Sequence, residues 1–105
     1  MNRLGLTFWA GLAAAINAPL AYAADAKTGA DVAKRWCSAC HVVDAGQIGA
    51  HTDATAFRTI ARAPGYDKDR LTGFLLEPHG LMMPNMALSR REVEDIVAHI
   101  ESLAK

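Results

Sequence analysis

Two cysteines and a histidine fall within five consecutive residues, Cys37-Ser38-Ala39-Cys40-His41. This spacing sets two thiols about one helical turn apart, with an imidazole beside the second. It is the attachment signature of a c-type haem, whose two vinyl groups take the thiols and whose iron takes the histidine as proximal ligand. The motif therefore predicts one covalently bound haem c, with Cys37 and Cys40 as attachment points and His41 on the iron.

Other chemistries use the same residue types. Two cysteines of an exported protein can form a disulfide, whereas a thioredoxin-like dithiol needs a preceding strand, of which the sequence gives no sign. A zinc site needs four ligands, and the four histidines of the chain lie too far apart in sequence for a zinc finger. A plain disulfide and metal binding remain the alternatives to haem.

The amino terminus has the composition of a secretory signal. Arg3 precedes an uncharged apolar run over residues 4–16, Pro19 interrupts it, and Ala21-Tyr22-Ala23 offers the small residues that signal peptidase recognises. An uncleaved membrane anchor is the alternative, but the run is shorter than the roughly 20 apolar residues that span a bilayer. We therefore predict a signal peptide over residues 1–23, cleavage after Ala23 and a mature periplasmic domain over residues 24–105.

The predicted mature chain is small and nearly neutral. Its 82 residues carry ten basic and eleven acidic side chains, a net charge of −1, because Arg3 is the charged residue that cleavage removes. This balance excludes the basic surface that nucleic-acid binding requires. So short a chain folds as a single domain and usually needs a disulfide, a metal or a cofactor to supply stability. We expect a monomer without a membrane span after cleavage.

The rest of the chain predicts an all-α fold of about four short helices, since no alternating strand pattern occurs. The strongest signal is Ser89-Arg90-Arg91-Glu92, a capping box followed by apolar residues at helical spacing. Each predicted helix has apolar residues on one face. The first is capped near Thr28 and leads into Cys37 (Val32, Ala33, Trp36), and the second covers residues 54–63 (Phe57, Ile60, Ala61). The third is capped by Asp67 and points Leu71, Phe74 and Leu75 inward, and the fourth follows Ser89 (Val93, Ile96, Val97, Ile100, Leu103).

The order of these features resembles the class I monohaem cytochromes c. A glycine-bearing helix leads into Cys-x-x-Cys-His, and Met83-Pro84-Asn85-Met86-Ala87-Leu88-Ser89 directly precedes the last helix. The resemblance extends over the whole mature chain. It implies a cytochrome c fold, in which the first and last helices cross and the other segments surround the haem.

The resemblance also implies a ligand and a function. Met83, in its Met-Pro loop, corresponds to the second axial ligand of the family, and a soft thioether favours ferrous iron. Met86 is the alternative ligand, although its place beside the last helix favours packing, and Met83 itself could simply fill a gap in the core. With both axial positions filled, the expected protein is a one-electron carrier between redox proteins and not an enzyme.

Two alternatives to a free carrier remain. A labile distal methionine would give a peroxidase-like or gas-binding haem protein. The chain could also be the haem subunit of a larger dehydrogenase or oxidase. The donor and acceptor proteins cannot be read from the sequence.

The sequence departs from the family at two places. The family commonly has a proline shortly after the motif, whose carbonyl accepts the second N–H of the proximal histidine, and residues 42–49 contain no proline. The acceptor for His41 is therefore unassigned. His99 stands where the family often has an aromatic residue, and we expect it to pack against Gly29 and Ala33.

Overall fold

A computed structural model describes residues 22–77 and 83–105, together with the single residues 5 and 11. In this part of the chain the structure consists of four helices and contains no strand, which confirms the all-α prediction. The helices are α1 (Ala26–Trp36), α2 (Phe57–Arg62), α3 (Lys68–Leu76) and α4 (Arg90–Ser102). The predicted signal peptide over residues 1–23 lies almost wholly outside the described residues and stays a prediction.

Side chains fix the starts of three helices. Asp67 caps α3, and Ser89 and Glu92 form the complete capping box of α4, both as predicted. The predicted cap of α1 near Thr28 is wrong, because the helix begins earlier, at Ala26, and Asp25 is its N-cap. The Asp25 carboxylate accepts hydrogen bonds from the amides of Lys27 and Thr28 and from the Thr28 hydroxyl. These bonds, the Thr28 hydroxyl first, lower the pKa of Asp25.

The first and last helices cross at a point of close backbone approach. Gly29 is buried there, and a Cβ added to it would overlap the Asp95 carbonyl of α4. Ala33, one turn later, is fully buried in the same interface. Small residues on α1 therefore allow the two backbones to meet, as the resemblance implied.

The core lies beneath this crossing and is small. It joins α1, the segment after the motif and α2 to the inner face of α4. Both α2 and α3 also contact α4, so the last helix is the element that all others share. Among the described residues, no helix has the length and apolar character needed to cross a membrane. The buried cluster comprises Ala33, Cys37, Val43, Phe57, Ile96 and Ile100.

Two aromatic residues on the predicted apolar faces are exposed, and for Phe74, which we predicted to point inward, the prediction is wrong. Trp36 and Phe74 each have 52% of their surface accessible. Phe74 differs from Leu71 and Leu75, which share a face four residues apart and pack against the core. Trp36 is the last residue of α1, where the chain turns into the motif, and its ring lies along a cavity described below.

Candidate functional site

The Cys-x-x-Cys-His motif forms a turn that continues the end of α1. The Cys37 amide bonds the Ala33 carbonyl at 2.8 Å, and the Cys37 carbonyl accepts from the amides of Cys40 and His41 at 3.2 and 2.9 Å. This turn brings the two cysteines and the histidine to the same wall. Cys37 is buried, Cys40 and His41 are half-buried, and both cysteines are free thiols.

Six consecutive carbonyls, from Ser38 to Val43, accept hydrogen bonds from groups that lie outside the motif. Most of the donors belong to residues 47–57, which we call the bracing segment. Because each carbonyl has a partner, the backbone conformation around the motif is fixed independently of its side chains. In chain order the donors are the Gln47 side chain, the His51 amide, the Thr52 hydroxyl, Gln47 again, the Phe57 amide and the His99 ring.

Gln47 makes the largest contribution of any side chain to this bracing. Its Nε2 donates to the carbonyls of Ser38 at 3.1 Å, His41 at 2.8 Å and Gly49 at 2.9 Å. Its Oε1 accepts from the Val43 amide at 3.0 Å. Two N–H groups serve three carbonyls, so one of these hydrogen bonds is shared. A single amide group thus joins the motif to the loop that follows it.

The ring orientation of His41 is set by a backbone group. Its Nδ1 lies 2.6 Å from the Thr55 carbonyl oxygen. A carbonyl can only accept, so Nδ1 carries the proton and Nε2 is left with a lone pair. The acceptor that the sequence left unassigned is therefore Thr55, and a bond of this kind fixes the tautomer and raises the basicity of a metal-binding imidazole.

A second histidine supports the same region from behind. His99 of α4 is buried, and its Nε2 lies 2.6 Å from the Val43 carbonyl, to which it donates. The Phe57 ring stands between the two imidazoles, with centroids 5.4 Å from His41 and 6.4 Å from His99. His99 is thus buried as expected, but the α4 residue that faces Gly29 is Asp95, one turn earlier.

One cavity of about 460 Å³ brings the predicted site residues together. Cys37, Cys40 and His41 line it together with Met83 and Met86. Both methionines are half-buried. The full lining consists of Trp36, Cys37, Cys40, His41, Thr52, Asp53, Ala54, Met83, Pro84 and Met86.

Comparison with known proteins agrees with this geometry. A family model described as cytochrome c oxidase, cbb3-type, subunit III matches residues 24–100. The chain belongs to this cytochrome c family. It is also 50% identical over 92 residues to cytochrome c-552 of Bradyrhizobium diazoefficiens, covering 88% of each chain. No solved structure matches. Membership of the family means that the protein binds haem c covalently and transfers electrons between redox partners.

The residues of this cytochrome suit such a group. The cavity offers two thiols, an imidazole with a free Nε2 and two thioethers within mainly apolar walls. Burial, and secondarily the neighbouring Cys40, raises the pKa of the Cys37 thiol to about 11. Within residues 22–77 and 83–105, no group of three or more histidine, cysteine or acidic side chains could hold a separate metal ion. The free thiols likewise give no support to a structural disulfide.

Sequence reasoning missed several residues that shape the site. Trp36, Thr52 and Asp53 line the cavity, while Gln47 and Thr55 hold the motif through hydrogen bonds. The position of Trp36 directly before the motif is a signal that could have placed it at the cavity. Nothing local marks Gln47 or Thr55, because their bonds join residues six to fourteen positions apart.

Proposed function

We propose that this cytochrome carries single electrons between periplasmic redox proteins through a haem joined to Cys37 and Cys40, with His41 and Met83 as axial ligands. The observation that carries the proposal is the shared cavity, whose wall contains both thiols, the imidazole and the Met-Pro loop. When bound, the haem iron supplies the ferrous and ferric states between which one electron moves.

The protein residues hold that group and limit its reactions. His41 presents Nε2 because its Nδ1 proton is held by the Thr55 carbonyl. The bracing segment keeps the motif backbone in place, so little rearrangement is needed when the iron changes its charge. If His41 and Met83 both held the iron, they would leave no position on it for a substrate, as a carrier requires.

Met83 is the better candidate for the sixth ligand. Both methionines line the cavity, and so the cavity wall alone does not separate them. Pro84 follows Met83 directly, and its ring fixes one backbone dihedral beside the sulfur-bearing residue. Met86 lies three residues from the cap of α4, and its carbonyl accepts the Leu88 amide, which favours a packing role.

We also propose export and cleavage after Ala23. The family match begins at residue 24, directly after the predicted cleavage site. Ala23 and Ala24 are exposed and lie before the first residue of α1, so the bond between them lies outside any helix. The mature protein would therefore keep all four helices.

The test is a pair of methionine variants in holocytochrome produced with a c-type haem maturation system. Wild type should have the mass of residues 24–105 plus one haem, and its haem should resist acid-acetone extraction. Its ferric form should show the near-infrared thioether-to-iron band, and its ferrous form should exclude carbon monoxide. Extractable haem would contradict attachment at Cys37 and Cys40, and rapid carbon monoxide binding would favour a gas-binding or peroxidase-like protein.

Met83→Ala should abolish the band, admit carbon monoxide and lower the reduction potential by on the order of 100 mV, a small part of the range that axial ligands span. Met86→Ala is the matched control. It should keep the band and cost about 2 kcal/mol or less, because the half-buried side chain lies below the range for full burial. Loss of the band in Met86→Ala but not in Met83→Ala would make Met86 the ligand and Met83 the packing residue.

The family description favours one alternative, a haem subunit of an oxidase. A free carrier should appear in the periplasmic fraction at the mass of one chain. If the protein were recovered only together with a membrane complex, it would be a subunit of that complex and not a free carrier. The proposed haem ligands would be unaffected by that result.

A further inference from the structure

The Asp95 carboxylate of α4 faces the chain just before α1 and is almost fully buried, with 2% of its surface exposed. The Asp25 amide donates to its Oδ1 at 2.8 Å, and the Tyr22 hydroxyl donates to the same oxygen at 2.5 Å. Among the described residues, no donor reaches Oδ2. One buried acidic group thus joins the last helix to the segment that contains the proposed cleavage site.

Cleavage after Ala23 changes the partners of this carboxylate. It removes Tyr22 with the signal peptide and creates a new α-amino group on Ala24. Adjacent Cα atoms lie 3.8 Å apart, so this amine forms one residue away from an amide already bonded to Asp95. Near neutral pH an α-amino group is protonated and carries three donors, but no acceptor.

We propose that Asp95 is a binding site for the α-ammonium group of Ala24 that signal cleavage creates. The inference rests on the proposed cleavage after Ala23. Processing would replace a neutral tyrosine donor by a cation, and hydrogen bonds between charged groups are shorter and stronger than neutral ones. The start of α1 would then be fastened to α4 most firmly in the processed protein.

Other charged groups near Ala24 act more weakly than Asp95. The Arg91 guanidinium lies 3.9 Å from the Tyr22 ring centroid and opposes a cation, whereas the Asp25 carboxylate favours one. Asp25, Lys27 and Arg91 are all exposed, and solvent and salt screen their charges. The competing outcome is hydration of Asp95, because loss of Tyr22 uncovers part of the carboxylate.

The experiment is competitive acetylation of the purified mature holocytochrome between pH 6 and 10, with the Ala24 peptide quantified by mass spectrometry. In the native protein the α-amine should show a pKa above its ordinary value of about 8, and at pH 8 it should react several-fold more slowly than in the denatured chain. Asp95→Asn should return the native amine to the denatured behaviour. Glu94→Gln, one residue earlier on α4 and half-exposed, should leave it unchanged.

The proposed pairing of the Ala24 ammonium group with Asp95 also predicts how the stability of the protein changes with pH. A folded-state pKa above the unfolded one means that the pair stabilises the fold below about pH 8, and that this gain is lost as the pH rises through the folded value. As the pH rises from about 8 through the folded pKa of the amine, the melting temperature of the wild type should fall more than that of Asp95→Asn.

Three results would overturn the inference. The first is a native α-amine that reacts like that of the denatured chain, and the second is an Asp95→Asn protein that is less stable but has an unchanged amine. If the Asp95→Asn protein does not accumulate, the test is the comparison of Ala24 acetylation against pH in native and denatured wild type. A mature chain beginning at another residue would also overturn it, while the haem mass and the Met83 spectra would still test the carrier function separately.

Discussion

Two parts of the chain that contribute to the cavity, one with His41 and one with the two methionines, differ in the interactions that hold them. On the histidine side, the backbone carbonyls around the motif accept hydrogen bonds from the bracing segment and from His99. The methionine side, which we define as α3 and residues 83–88, contributes Met83, Pro84 and Met86 to the cavity wall. Two groups of side-chain hydrogen bonds, which we call the end anchors, flank it: Tyr66 donates to Glu101 before α3, and Ser89 and Glu92 form the capping box at the start of α4. No residue of α3 is fully buried.

The two sides therefore differ in how the positions of their proposed ligands are fixed. The histidine side has its geometry specified by many polar contacts, so the imidazole is oriented before any ligand bond forms. On the methionine side, Leu71, Leu75 and Leu88 pack against the core between the end anchors. We therefore expect substitutions of bracing residues to disturb the whole fold, and substitutions of the end anchors to have smaller effects.

Gln47→Ala should have the largest effect of the substitutions that test this comparison. It removes four hydrogen bonds, and at roughly 0.5–1.5 kcal/mol each the expected loss of unfolding free energy is about 3 kcal/mol. Gln47→Glu keeps the size and the acceptor for the Val43 amide but loses the donors, and it should also destabilise. Denaturant unfolding of the holocytochrome measures both.

Ile48→Ala is the neighbouring control for Gln47. The Ile48 side chain is fully exposed, so its truncation should change the unfolding free energy by less than about 0.5 kcal/mol. A Gln47→Ala protein as stable as Ile48→Ala would show that the bracing bonds contribute little, and the contrast between the two sides would then fail.

The sequence predicted the features that depend on neighbouring residues. The capping box at Ser89 and the cap at Asp67 are local patterns, and the structure contains both. The Cys-x-x-Cys-His spacing is also local, and the two thiols and the imidazole do meet at one cavity. The crossing of the first and last helices was implied by the resemblance to the cytochromes c, and the buried Gly29 and Ala33 are the small residues that permit it.

The features that escaped prediction depend on contacts between distant parts of the chain. Thr55 accepts from His41 across fourteen residues, and His99 donates to Val43 across 56. Neither pair has a signature, since any residue offers a carbonyl and the fold decides which one lies within reach. Helical spacing alone likewise did not separate Phe74, which is 52% exposed, from Leu71 and Leu75, which pack against the core.

Ser89→Ala tests the anchor at the end of the Met-Pro loop. It removes the oxygen that accepts the Glu92 amide and should cost about 1 kcal/mol, as N-cap losses typically do. Ser89→Asp, which can still cap the helix, should retain most of that stability. The near-infrared band should persist in both variants, since the proposed Met83 ligand lies six residues away.

An effect of Ser89→Ala as large as that of Gln47→Ala would contradict the comparison, because the methionine side would then depend on polar anchoring as much as the histidine side does. Denaturant unfolding of Ser89→Ala and Gln47→Ala under the same conditions gives the two losses of unfolding free energy to be compared.

Tyr66→Phe should have the smallest effect at neutral pH and the clearest dependence on pH. The Tyr66 hydroxyl donates to the Glu101 carboxylate at 3.0 Å, and the net loss from removing this half-buried bond should be about 0.5–1 kcal/mol. Burial, followed by the hydrogen bond and the negative charge of Glu101, raises the pKa of Tyr66. Its contribution is therefore complete below the unfolded value of about 10 and is lost as the pH rises through the folded one.

The difference in unfolding free energy between wild type and Tyr66→Phe should consequently shrink above about pH 10, because the unfolded wild-type chain releases the tyrosine proton before the folded chain does. Glu101→Gln keeps an acceptor oxygen and removes the charge, so it should lower the pKa of Tyr66 toward its ordinary value and reduce this pH dependence. Absorbance of the tyrosinate ion measures the pKa, and thermal unfolding at each pH measures the stability. A difference that stays constant up to pH 11 would mean that this bond does not anchor α3 to α4.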